Sequence, residues 1–383
     1  MSTATLMTAR KSLAFVLCGV GSLQIADARD IHVCPSCAHT SIQGAVNDAA
    51  SGDVIYIAAG RYAEGVLIEG KHLTLIGAGG GTQGTTELDG TGAGPALVLG
   101  SGNPNDPYEL TEVHGLLISH GHHLTGTAVG GGVQVRAGAY LHIFDSTISQ
   151  NIANEGGGIG VNTPAGPETT ITRCLISDNF ALSGPGLFVT LGGGVAVVAG
   201  SVTIEQSTVV RNQTTGQFGG GGISAGTTTK LSVLDSTVSD NRATTILDPS
   251  GISGGTGAGL LLNGDFLISG STIAGNVASG ETSEGGGLQV GLYDGGAHTI
   301  KNTVITHNLV TGGFSTSFGN GGGIYSFAGF IGGSGTLTLD HVYVVENLAG
   351  AGLYNTAGVT LTLIDSTIKD NAGGNCVGPG CPP

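Results

Sequence analysis

Leu141–Val161 reads LHIFDSTISQNIANEGGGIGV, and the pattern of this stretch recurs along most of the 383-residue chain. A short apolar-alternating run holds Leu141 and Ile143, a turn follows, and a second run around Ile148 ends at Asn151. A loop then leads to the glycine triplet Gly156–Gly158, which opens a third run. Apolar residues alternating with period two indicate β-strands rather than a helix. The units are also rich in Gly, Thr and β-branched residues, all poor helix formers.

Aligned on Asn151, the equivalent positions are Asn179, Asn212, Asn241, Asn276, Asn308, Asn347 and Asn371, with Gly121 one unit earlier. Spacings run from 24 residues (Asn347 to Asn371) to 39 (Asn308 to Asn347). Three residues before this position stand Ile118, Ile148, Ile176, Val209, Val238, Ile273, Ile305, Val344 and Ile368. Eight before stand Val113, Ile143, Ile171, Ile204, Val233, Ile268, Ile300, Leu339 and Leu363. Both columns are wholly aliphatic.

Strands this short bury nothing alone, but like stacked on like about 4.8 Å apart builds a continuous aliphatic interior. Each unit is therefore one coil of three short parallel strands, with the asparagines stacked in a ladder at an interior turn. Five residues before the asparagine the column is mostly small (Ser146, Cys174, Ser207, Ser236, Ser271, Thr303, Ser366). Cys174 is thus expected to be a buried, inert thiol. Loops of differing length between the asparagine and the glycine cluster place variation at one corner, where a solenoid carries function.

The composition narrows the class. There are 73 Gly, no Trp and 10% charged residues, without a collagen period. A net charge of −15 and a pI near 4.9 exclude an electrostatic nucleic-acid binder and disfavour polyanionic substrates. Arg10-Lys11, the apolar Leu13–Gly21 and Ala26-Asp27-Ala28 predict a secretory signal over residues 1–28. No later run is long and apolar enough to span a membrane. The expected location is secreted, or cell surface or periplasm, after cleavage. In that oxidising setting Cys34–Cys37 and Cys376–Cys381 are each close enough for a local disulfide. The four could also be read as a zinc set, or Cys34–Cys37 as a redox pair. Opposite ends of a rod preclude a shared metal, and no thioredoxin-like context surrounds the pair.

Residues 29–110 form a different region. Thr40–Ser51 place Ile42, Ala45, Val46 and Ala49 on one helical face, and VIYIAAGRY, KHLTLIGAG and TELDGTG follow as strand-like runs. This succession resembles the N-terminal cap and first coils of right-handed parallel β-helix proteins of the pectin-lyase-like superfamily. The resemblance implies an all-β coil of three strands, with a short helix over its first rung. Residues 111–371 are then the repeat coils and 372–383 a tail without further strand that caps the last rung. The alternating xxxN and GGGI segments are similar to the repeats of polymorphic outer-membrane proteins, with GGGI for GGAI and Ile or Val in place of Phe. No autotransporter-barrel stretch follows.

Candidate sites are few. Asp178, Arg211 and Asp240 precede the ladder asparagine in consecutive coils and predict a stacked carboxylate–guanidinium–carboxylate trio. Lyases and hydrolases of the superfamily use acidic clusters with a basic residue on a lateral groove, so the resemblance makes these three the catalytic candidates. A solvated salt-bridge ladder is the alternative. His114, His120, His122 and His123 form a cluster able to bind transition metals, set against a solvated loop. The superfamily hydrolases' paired Asp and Gly-His-Gly are not supplied by Asp89-Gly90 or Gly121-His122-His123. Phe314, Phe318, Tyr325, Phe327 and Phe330 concentrate aromatic surface and form the preferred binding patch. The alternative is that they cover the base of their own loop.

The expectation is a monomeric exported protein with a surface, adhesive or carbohydrate-binding role, its partner a polysaccharide or cell-surface ligand. No cofactor is expected. The alternative is a polysaccharide lyase, epimerase or hydrolase acting on an acidic polysaccharide, with calcium if it is a lyase.

Overall fold

The structure, a computed structural model, describes residues 28–79, 84–125, 129–182, 192–216, 219–244, 255–280, 283–293, 296–312, 321–328 and 333–383. All but the last residue of the expected signal segment lies outside the described residues, as do Phe314, Phe318 and Phe330.

The unit that opens the sequence folds as strands Ala139–Phe144, Thr147–Ser149, Ile152–Ala153 and Ile159–Asn162. Each pairs in parallel with its counterpart one coil away. Ile143 is in register with Val113 and Ile171, and Ile148 with Ile118 and Ile176. Repetition of these pairings produces long ladders. A middle sheet runs from Asp30–Val33 to Val359–Ile364, and an asparagine sheet from Gly60–Ala63 to Thr367–Lys369. A glycine sheet runs from Val66–Ile68 to Cys376–Val377. Beyond the three strands per coil read from sequence, a fourth ladder of two- and three-residue strands follows the asparagine corner, from His122–His123 to Leu309–Thr311. The chain is a right-handed parallel β-helix.

Both aliphatic columns point inward and are fully buried as far as Val344 and Leu339. Full burial of each such side chain stabilises the fold by roughly 1.5–3 kcal/mol. The corners are built by backbone conformation. His120, Gln150, Asp178, Arg211, Asp240, His307, Glu346 and Asp370, one before the asparagine position, all have φ between 53° and 59°. Asp145, Arg173, Gln206, Asp235, Asn302, His341 and Asp365, six before it, have φ between 44° and 55°. Where these columns hold glycine, at Gly115, Gly270 and Gly275, φ is 64°, 63° and 66°. One left-handed residue turns the chain sharply into the next strand, and no β-branched residue occupies either column.

Directly after the left-handed residue a small polar side chain points inward, except at Leu116, Gly121 and Val342. The Asn241 Oδ1 accepts from the Asn212 amide at 2.9 Å and from the Asn212 Nδ2 at 3.1 Å, and the relation repeats from Asn151 to Asn371. In the other column the Ser236 Oγ accepts from the Ser207 amide at 3.0 Å and donates to the Leu234 carbonyl at 2.7 Å. Cys174 sits in this column, its Sγ donating to the Thr172 carbonyl. Each ladder oxygen from Asn151 to Asn371 thus accepts from the main-chain amide of the preceding coil.

The helix Ile42–Asp48 closes the first coil with Ile42, Ala45 and Val46. Its N-terminus is satisfied by the Ser41 hydroxyl, which accepts from Gly44, and by the Glu64 carboxylate, which accepts from Ile42 and Gln43. Both expected local disulfides are formed. The tail departs from expectation. Cys376–Val377 is a further strand, paired with Leu353 and Tyr354, so the tail extends the glycine sheet rather than covering the whole end. Leu361, Leu363 and Ile368 of the last rung remain only partly buried because no coil lies beyond them.

Candidate functional site

Asp178 and Arg211 stand one coil apart at left-handed corner positions, which aim both side chains outward. The guanidinium donates twice to the carboxylate, Nε to Oδ1 at 2.9 Å and Nη2 to Oδ2 at 2.7 Å. This contact holds the Asp178 carboxyl below the usual carboxylate range. Asp240 lies on the same column but leans toward the next coil, over Gly275. Among the described residues no ion pair joins Asp240 to Arg211, so the expected trio is a pair. Arg173 and Asp145 repeat the arrangement on the other corner column. Both pairs are exposed, and calcium would find each carboxylate engaged in bidentate fashion by a guanidinium. The residues do not fit that ion.

The four histidines are separated by the sheets. His114 stacks on Phe144 in the middle sheet with centroids 4.8 Å apart, and His122 and His123 form a short strand rather than a loop. His120 turns toward Asp89, its Nδ1 at 3.0 Å from Oδ2. There Glu87, Asp89 and His120 could geometrically hold a metal ion. The Arg61 guanidinium already occupies that place, pairing with the Asp89 Oδ2 and lying beside Glu87. Burial pushes Asp89 up, but the Thr91 amide, Arg61 and His120 together outweigh it and hold the carboxyl low. The cluster is a compensated charge network on the first coils.

The outer face of the glycine sheet differs in character. The register places Leu261, Gln289, Tyr325 and Tyr354 in one outward column. Beside it, Asn263, Tyr293 and Phe327 converge over Gly291. A Cβ at Gly291 would lie 2.5 Å from Asn263 Oδ1, 2.7 Å from Tyr293 Cε2 and 3.0 Å from Phe327 Cζ. These three side chains pack down over residue 291 because glycine leaves that space to them. Tyr293 and Phe327 meet edge to face at 6.0 Å, and Tyr325 stacks on Tyr354 at 5.8 Å. Of the five aromatics in the preferred patch, only Tyr325 and Phe327 fall on described residues. They are 8% and 9% exposed and form a wall rather than an open platform.

Glu284, directly before the glycines, joins this wall. The Gln289 Nε2 donates to the Glu284 Oε2 at 3.4 Å, and the Tyr325 hydroxyl bonds the same carboxylate. Burial pushes the Glu284 carboxyl up to about 7 against the smaller opposing effect of Tyr325. Burial and the neighbouring carboxylate raise the Tyr325 hydroxyl as well. Glu155 holds the same position before Gly156–Gly158, and its carboxyl is likewise raised by burial. Among the described residues, Gln289 Oε1, on a side chain 4% exposed, and Asn263 Oδ1 are sealed from solvent and have no donor. A buried polar group left so costs about 1–3 kcal/mol. Sequence reasoning reached Tyr325 and Phe327 but not Glu284, Gln289, Asn263 or Tyr293, which lie in preceding coils. The signal that could have found them is Gln and Asn at outward positions of otherwise apolar strands.

The family described as "Right handed beta helix region" matches residues 109–247. Among solved structures the chain is similar to the pectate lyase Pel9A, at 14% identity and a TM-score of 0.42, covering 91% of this chain and 82% of that one. It is also similar to the pectin methylesterase PemA from Erwinia chrysanthemi (9% identity, TM-score 0.31, 92% of each chain). The pectin methylesterase from Aspergillus niger gives 12% identity and a TM-score of 0.31, over 90% of this chain and 89% of that one. No curated protein matches the chain.

Proposed function

We propose that the protein is an exported carbohydrate-binding β-helix with a surface or adhesive role, and that the outer face of the glycine sheet, where the part-exposed Tyr293 and Tyr354 lie, is its binding face. The observation that carries this reading is the row of aromatic rings on that face, Tyr293 against Phe327 and Tyr325 stacked on Tyr354. Sugar hydroxyls are donors, and aromatic rings suit the apolar faces of sugar rings. The xxxN and GGGI repeats, similar to those of polymorphic outer-membrane proteins, support the surface role.

A second reading, turnover of a polysaccharide, is favoured by Glu284 alone. A carboxyl titrating near 7 can donate or accept a proton at neutral pH. Against it, Gln289 and Tyr325 are the only partners of that carboxyl that the described residues supply. Incubation of the purified protein with a panel of polysaccharides separates the readings. Co-sedimentation without new reducing ends or unsaturated product is expected. Turnover abolished by Arg211→Ala would move function to the Asp178–Arg211 pair and contradict the binding reading.

A further inference from the structure

We propose that the glycine-sheet face carries a polar sugar subsite toward its N-terminal end, an open cavity in which Gln134, Arg136 and Asn162 take the adjacent hydroxyls of a neutral sugar; this rests on the carbohydrate-binding reading above. The cavity has a volume of about 380 Å³, within the range of small-ligand sites. Strands Val133–Arg136 and Ile159–Asn162 form its floor, and Pro104, Val129 and Pro164 stand around it. Gln134 and Arg136 alternate outward from the buried Val133 and Val135, and the register sets Asn162 beside Arg136 one coil on. Gly160 is the neighbour of Gln134 on that coil, so no side chain of that strand position closes over the Gln134 amide. Asn162 is exposed and Gln134 part-exposed.

Among the described residues neither the Gln134 nor the Asn162 side chain has a hydrogen-bond partner. The ladder amides of Asn151 and Asn179, by contrast, are used at both oxygen and nitrogen. Arg136 is anchored on one side only. Its Nε and Nη2 donate to the Gly100 carbonyl, and Nη2 also reaches the Glu69 carboxylate at 3.2 Å, which leaves Nη1 without a partner among the described residues. Glu69 offsets the guanidinium charge, so the cavity suits a neutral ligand better than an anion. Each amide offers donors and an acceptor, as a sugar hydroxyl does, and the free guanidinium nitrogen adds donors, so neighbouring hydroxyls can be bound in pairs. Val129 and the two prolines supply apolar walls for the C–H face of the ring.

The test is isothermal titration of the full chain at pH 7.5 with cellotriose, maltotriose, mannotriose and xylotriose. At least one is expected to bind, with a component that Gln134→Leu and Asn162→Leu each weaken about tenfold or more, the melting profile showing that the β-helix is intact. Binding that falls with Tyr354→Ala but with neither amide variant would overturn the polar subsite and leave the reading of the glycine-sheet face in place. Binding that none of the three variants changes would put the sugar elsewhere and overturn both. Silence from all four sugars would likewise overturn both.

Discussion

Asn212 is bound twice to Asn241: its main-chain amide and its side-chain Nδ2 both donate to the Asn241 Oδ1, at 2.9 Å and 3.1 Å. The Asn241 Nδ2 in turn donates to the Asn276 Oδ1 and to the Val209 carbonyl. One side chain therefore completes the backbone of a corner and passes the arrangement to the next coil. Asn241→Ala removes the acceptor for two buried donors and the donor for two acceptors. It should cost about 3–5 kcal/mol in equilibrium denaturation. Asn371→Ala, near the last rung and less buried, should cost markedly less. Equal losses at the two positions would contradict the ladder as a cooperative element.

Gln150 turns the corner before Asn151 with φ at 59°. A β-branched residue is strained there, so Gln150→Val should destabilise by about 1–2 kcal/mol and Gln150→Gly should be close to neutral. Thermal melts of the two variants decide this. The opposite order would mean that side-chain contacts, not backbone conformation, set this position.

Cys174 replaces the serine of its column, and burial pushes its thiol up to about 11. The native protein should leave this thiol unmodified by a thiol reagent at pH 8 until it is unfolded. Cys174→Ser should be tolerated, because the neighbouring coils hold serine in the same hydrogen bonds. Rapid labelling of the folded chain would refute the inward assignment.

Glu284 gives a pH dependence whose sign can be worked out. Its folded pKa, about 7, lies above the ordinary 4.5, so the folded state holds the proton more tightly than the unfolded chain. The resulting loss of stability begins as pH rises past about 4.5 and is complete above about 7. Glu284→Gln should therefore be more stable than the parent at pH 8, by on the order of 3 kcal/mol, and indistinguishable from it at pH 4. Denaturation at the two pH values reads the difference directly. A variant less stable at pH 8 would show that the charged carboxylate is supported by its surroundings.

The coil was legible because stacking imposes identical demands on every rung: Ile148, Ile176 and Val209 meet the same interior, so they form a visible column. The left-handed corners were only half legible. The column of Asp178 and Arg211 looked like scattered polar chemistry, whereas its common factor is backbone conformation, written as an absence of β-branched residues. The tail misled for a related reason, because Cys376-Val377 is too short to show periodicity. The candidate face was hardest to see. Asn263, Glu284, Gln289 and Phe327 come together only through the register of successive coils, which insertions of varying length conceal.

The most direct test is a crystal structure of the protein with the tightest-binding oligosaccharide. The account predicts a sugar on the outer face of the glycine sheet, against the rings of Tyr293 and Tyr354. A sugar bound along Asp178 and Arg211, with that face bare, would contradict it.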